Sequence, residues 1–141
     1  MDSITALNQG NHSFDELEDF DEQICVINKS GEFIFVNQAW KTLVDAECDN
    51  PVLLQVGNYI DACYVEVHKG EVTLKHVISQ LSKLLNGESK DIECLFAISL
   101  GNLRRWFRMK GVKATFESRS LYVLAHCDIT SDVLSGAIEW D

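Results

Sequence analysis

The succession of periodicities along this chain predicts an α+β protein with one antiparallel sheet, its five strand signals divided by a helical block and flanked by helical signals at both ends. Three observations carry that expectation. Two strand signals lie before residue 37 and three lie after residue 90, with helical periodicity between them, whereas βαβ units would interleave the two. The first two strand signals are apolar on both faces, so each side of the sheet needs a cover. Of the 141 residues, 46 % are hydrophobic and 24 % charged, the balance of a single globular domain.

Residues 1–12 are polar and are expected to fray. Ser13-Phe14-Asp15-Glu16 has the spacing of a capping box. Phe14, Leu17 and Phe20 follow as a narrow apolar stripe. The remaining positions are acidic (Asp15, Glu16, Glu18, Asp19, Asp21, Glu22), which opposes the dipole in a last turn, so this helix should end near Asp21. Strands at 24–28 and 32–36 are joined by Lys29-Ser30-Gly31, with Gly31 supplying a positive φ. Strict alternation pairs Ile24 with Val26, Cys25 with Ile27, Phe33 with Phe35, and Ile34 with Val36.

Asn37 caps a helix that starts at Gln38 and carries Ala39, Trp40, Leu43 and Val44. Pro51 interrupts the chain before an apolar run at 53–56. A short helix at 58–67 places Ile60, Cys63, Tyr64 and Val67 on one side. The longest helical signal, 71–85, aligns Leu74, Val77, Ile78, Leu81 and Leu85, and Gly87 is its left-handed cap. Strands follow at 91–99, 103–113 and 120–128, with turns at Gly101-Asn102 and 117–119. A final helix over 131–140 groups Val133, Leu134, Ala137 and Ile138.

The formal charge of −10 opposes phosphate neutralisation, which argues against nucleic acid and against an anionic membrane surface as partners. No apolar run reaches the roughly 20 residues of a membrane-spanning helix. The N-terminus lacks the features of a secretory signal, and the expected location is cytoplasmic. Cys25, Cys48, Cys63, Cys94 and Cys127 are odd in number and contain no C-x-x-C pair, unlike a disulfide framework or zinc site. Most of them read as small buried hydrophobes. The serine-elbow, phosphate-loop, dinucleotide and zinc-protease motifs are missing, so nothing in the sequence supports an enzyme.

Three stretches together resemble the PAS family of sensory domains over residues 21–130. The segment Ile24-Cys25-Val26-Ile27-Asn28-Lys29-Ser30-Gly31-Glu32-Phe33-Ile34-Phe35-Val36-Asn37-Gln38-Ala39-Trp40 is similar to its opening hairpin and the Asn-capped helix after it. Arg105-Trp106-Phe107 resembles a motif of its penultimate strand, and Asp128-Ile129-Thr130 its closing motif. Gly57-Asn58-Tyr59-Ile60-Asp61-Ala62-Cys63 resembles the middle of one bacterial subset. The resemblance implies a five-stranded sheet whose helices enclose a small-molecule pocket, with the outer face covered by a terminal helix or a second subunit. It also implies that Asp128 and Thr130 relay a signal to an output module, commonly a histidine kinase or a GGDEF diguanylate cyclase. Residues 1–20 are then a flanking tail and helix, and 131–141 the start of a signalling helix. The chain reads as a piece of a longer protein.

Under this resemblance the pocket is lined by Tyr59, Cys63, Val77, Ile78, Leu81 and Arg105. Haem would need a ligand such as His76, but His76 lies about 200° around the helix from Leu74, away from the apolar stripe. His68 sits at the edge of its helix. Photochemical flavin attachment needs an Asn-Cys-Arg-Phe-Leu-Gln segment, which is not present. Haem and covalent flavin are therefore not expected, and the cofactor is left open. Strand parity puts Arg105 beside Leu103, Phe107 and Met109 on a mainly apolar face, either anchoring an anionic ligand group or pairing with an acidic side chain. His126 is expected to titrate near neutrality. Asp128 and Thr130 should hydrogen-bond local backbone. Phe14 and Leu17, with the stripe at 133–138, need a partner surface, either the sheet's outer face or a second subunit. The second makes them a homodimer interface, with the acidic first helix facing Arg104, Arg108 and Lys110. The rival to a ligand-binding sensor is a pocketless scaffold for dimerisation or protein interaction; a small α+β enzyme is a third.

Overall fold

A computed structural model describes residues 4–47, 57–100 and 103–139. In chain order these form β1 (Asn11–His12), β2 (Gln23–Ile27), β3 (Phe33–Val36), α1 (Gln38–Glu47), α2 (Tyr59–His68), α3 (Leu74–Leu85), β4 (Asp91–Leu100), β5 (Leu103–Phe116), β6 (Arg119–Asp128) and α4 (Thr130–Leu134), with 3₁₀ turns at Thr5–Asn8 and Phe14–Asp19. The five expected strands pair antiparallel in the order β3-β2-β6-β5-β4. A sixth, β1, pairs parallel with Thr115 and Phe116 at the end of β5, so the sheet is mixed. Cys48, Pro51, the 53–56 run, the Gly101-Asn102 turn and Trp140 lie outside the described residues.

Each face of the sheet has its own apolar cluster, as two-faced strands require. The inner cluster joins Cys25 and Ile27 to Tyr59, Val77, Leu81 and Phe107 beneath the helices. The outer one joins Ile24, Val26, Val112 and Val123 to the N-terminal segment. From residue 4 on, that segment does not fray: Ile4 and Leu7 are buried on the outer face, where two apolar residues three apart suit a 3₁₀ turn. Leu17 is fully buried, a gain of about 2 kcal/mol, and Phe14 stacks on Phe35 and Phe116 at 4.9 Å each. The Phe14–Leu17 stripe is thus spent on the chain's own sheet and is not free to form the expected dimer interface.

The acidic run is used differently from its expected role. Ser13 N–H donates to Glu16 Oε2 at 2.7 Å, completing that half of the capping box. Gln38 N–H donates to Glu18 Oε1 at 2.6 Å, so this turn helps cap α1. Arg104 and Arg108 of β5 pair with Glu71 and Glu93 and do not face the acidic turn.

Four further expectations are corrected. A register shift in the β2–β3 ladder places Val26 opposite Phe35 but Ile27 opposite Phe33, so Phe33 joins the inner cluster and Phe35 the outer. The buried face of α2 is Tyr59, Ala62, Cys63 and Glu66, and Tyr64 is half exposed. α3 begins at Leu74, since Glu71 accepts from Ser99 N–H at 2.7 Å and holds the β4–β5 strand pair. α4 stops at Leu134 because Gly136 turns left-handed (φ 84°), and Ile138 N–H returns to Asp132 O at 3.1 Å. Val133, Leu134, Ala137 and Ile138 therefore share no helical stripe.

The β2–β3 turn docks α2. Gly31 has φ 92°, and a Cβ there would stand 2.6 Å from Asn58 Oδ1. Its carbonyl accepts from Tyr59 N–H at 2.9 Å, while Asn58 Nδ2 donates to Ser30 O at 2.7 Å.

Candidate functional site

Tyr59 opens α2, where Asn58 Oδ1 accepts from Ile60 and Asp61 N–H at 2.9 and 3.1 Å. This cap aims the phenol across the inner face at His126 of β6. The Tyr59 hydroxyl and His126 Nε2 are 2.7 Å apart, and His126 Nδ1 lies 3.2 Å from Gln23 O. A carbonyl can only accept, so Nδ1 carries the proton, and Nε2 accepts from the phenol. Trp40 meets the imidazole edge-on at 5.2 Å and Phe96 at 6.1 Å. Phe33 packs edge-on against both Trp40 and Tyr59.

Burial pushes the His126 pKa down to about 4, so the ring is neutral at pH 7 and does not titrate near neutrality as expected. Burial raises the Tyr59 phenol well above its usual value. The Cys63 thiol is pushed up to about 12 by the same desolvation, which makes it an inert core group. Trp40 Nε1 is a buried donor with no partner among the described residues.

A second constellation sits where β6 runs into α4. Ile129 N–H donates to Trp106 O at 2.8 Å, and Trp106 N–H donates to Thr130 Oγ1 at 3.0 Å. Asp128 accepts from Thr130 N–H through Oδ1 at 2.9 Å and from Arg105 Nη1 through Oδ2 at 2.8 Å. Three of these bonds lace the penultimate strand to the β6–α4 junction, and the fourth, from Thr130 N–H to Asp128, closes that junction on itself. The Asp128 contact is local, but Thr130 reaches across 24 positions of sequence to Trp106.

Tyr59, Cys63, Val77 and Leu81 all lie buried in the inner cluster, with Ile78 partly buried against it. Arg105 stands apart at the junction, in its ion pair with Asp128. His68 and His76 are exposed. Asn37 does far more than cap α1. It is fully buried; its Oδ1 accepts from Trp40 and Ile24 N–H, and its Nδ2 donates to Leu17 and Glu22 carbonyls, all at 3.0 Å. The sequence reading missed that hub and the partner of His126. Strand parity with Tyr122 and Leu124, both in the inner cluster, would have turned His126 inward.

No family model matches the chain. No curated protein matches it either. Solved structures do. The PAS domain of BvgS from Bordetella pertussis superposes with TM-score 0.57 at 13 % identity, over 86 % of this chain and 88 % of that one. A PAS domain from Desulfitobacterium hafniense gives 0.54 at 12 % identity, over 81 % and 98 %. The PAS domain of nitrogen regulation protein NR(II) from Vibrio parahaemolyticus gives 0.52 at 9 % identity, over 92 % and 100 %. The fold of this chain is the PAS fold.

Proposed function

We propose that this PAS-fold chain is a sensory relay domain: a change in its inner core is carried by β5 and β6 through Arg105, Trp106, Asp128 and Thr130 to α4, and from there to an output module. The observation that carries this reading is the three-bond lacing of β5 to the β6–α4 junction, which the Thr130–Asp128 bond closes. Such a junction cannot shift at one strand without moving the other. In this reading the domain itself is not catalytic. Catalysis belongs to the output module, with histidine kinase or GGDEF cyclase as the natural classes, and two subunits act together in the cell interior.

The stimulus in the leading version is a small molecule contacting Tyr59, Cys63, Val77, Ile78 and Leu81. The unpartnered Trp40 Nε1 favours it, because a buried donor gains most from an acceptor brought in by a ligand. A pocketless scaffold is favoured instead by the close packing of that same core, where Tyr59, Cys63 and Val77 are 0 % exposed. Native mass spectrometry of freshly purified protein, with an absorbance spectrum, separates the two: a stoichiometric adduct supports the ligand version and a bare mass the scaffold. The relay itself is tested by hydrogen exchange. Leu81→Ala should raise exchange at Ile129 and Val133 beyond the global loss of stability, and unchanged local protection there would refute the relay.

A further inference from the structure

Twelve lysines and arginines stand against twenty-two acids in this chain, yet three lysines gather in one recess. A cavity of about 630 Å³ opens at the end of the sheet, between the C-terminus of α3, the β2–β3 turn and strands β5 and β6, and Lys29, Lys90 and Lys113 line it. The ladders explain the gathering. Tyr122 pairs with Lys113 on one side and with Ile27, two residues before Lys29, on the other. Asp91, next to Lys90, pairs with Val112 beside Lys113.

No carboxylate among the described residues lines the recess. Among the described residues, none of the three ammonium groups has an acidic partner, whereas Arg104, Arg105 and Arg108 on the same strand are all paired. Three unpaired like charges in one concavity raise the local potential and concentrate anions. The C-terminus of α3 contributes only about half a negative charge against them. Leu85 and Tyr122 supply an apolar floor, Ser120 adds a hydroxyl, and the volume lies within the range of small-molecule sites.

We propose that this recess binds a small soluble polyanion, a molecule carrying two or more phosphate or carboxylate groups. Ammonium groups act as point charges without the planar selectivity of a guanidinium, so they serve both chemistries. The site lies outside the inner core and stands independently of the relay reading. The chain's charge of −10 disfavours the alternative source of such groups, an anionic membrane surface.

The test is titration of the isotope-labelled full chain with sodium pyrophosphate and with sodium citrate, each against sodium chloride of matched ionic strength. Saturable amide shifts confined to Gly87, Lys90, Lys113 and Tyr122 and their neighbours are expected with at least one probe. Lys90→Ala/Lys113→Ala should weaken binding about tenfold or more, the loss of charge-assisted contacts. Lys29→Ala/Lys90→Ala provides a second pair of exposed substitutions. Lys41→Ala/Lys75→Ala, elsewhere on the surface, should leave binding unchanged. Shifts that do not saturate, equal weakening by the control pair, or binding to phosphatidylserine vesicles without binding of either probe would each overturn the site.

Discussion

Replacing Tyr59 with Phe removes one oxygen from the centre of the inner core and leaves the ring packing in place. The Tyr59 hydroxyl is the donor to His126 Nε2 at 2.7 Å, and the other ring nitrogen is committed to Gln23 O. His126 is fully buried, so Nε2 would lose its donor with no water to replace it. An unsatisfied buried acceptor costs about 1–3 kcal/mol. The double variant Tyr59→Phe/His126→Phe removes both partners of this bond, so it keeps only the loss of the Gln23 carbonyl's donor, which it shares with His126→Phe alone. The two single losses should therefore exceed the double by about 1 kcal/mol or more, a coupling expected only of groups in contact. Urea denaturation at pH 7.5, followed by circular dichroism, measures all three, with the half-exposed Tyr64→Phe as a control expected within about 0.5 kcal/mol of wild type. A Tyr59→Phe protein as stable as that control, or strict additivity in the cycle, would refute the hydrogen-bonded pair.

His126 sets a pH dependence whose sign follows from its depressed folded pKa. Its contribution is complete above the unfolded value of 6.5 and is lost as pH falls towards about 4, up to about 3 kcal/mol; the Tyr59→Phe/His126→Phe protein should show a shallower stability decline between pH 6.5 and 4.5, and parallel curves would contradict the assignment. Gly31→Ala meets both a left-handed φ of 92° and Asn58 Oδ1 at 2.6 Å, whereas Gly70→Ala meets a φ of 108° with open space. Both should lose about 1 kcal/mol to backbone strain, with a further loss at Gly31 alone, read from urea midpoints. Leu81→Ala, at 1 % exposure on the inward face of α3, should cost about 2–5 kcal/mol in the same assay. A cost under about 1 kcal/mol would place Leu81 outside the core.

The features that the sequence disclosed are those written over short separations. The Asn37 cap, the left-handed glycines at 31 and 87, and the Leu74–Val77–Leu81 stripe each depend on residues within about one or two helical turns or one hairpin. Two-faced apolarity in residues 24–36 likewise announced a sheet covered on both sides. Parity failed where backbone geometry overrode it: one register shift in β3 sent Phe33 and Phe35 to opposite faces. The N-terminal cover went unseen because Ile4 and Leu7 are two isolated apolar residues, too few to form a periodic pattern. Nothing in their immediate neighbours says that Val112 and Ala114 need covering.

The candidate sites were less legible because their partners are far apart in sequence. Tyr59 and His126 are separated by 67 positions, Arg104 and Glu71 by 33, Arg105 and Asp128 by 23. In each case the residue type carried a hint that needed a partner before it meant anything. A histidine at an inward parity position of β6 must be neutral and hydrogen-bonded on both nitrogens, or the strand cannot be buried. Tyr59, an inward polar ring at the start of a helix, is its partner, and recognising the pair required the strand order β3-β2-β6-β5-β4. The same topology turns Lys29, Lys90 and Lys113 from scattered surface charges into one basic recess. Local chemistry thus named the groups, and the sheet register decided which of them meet.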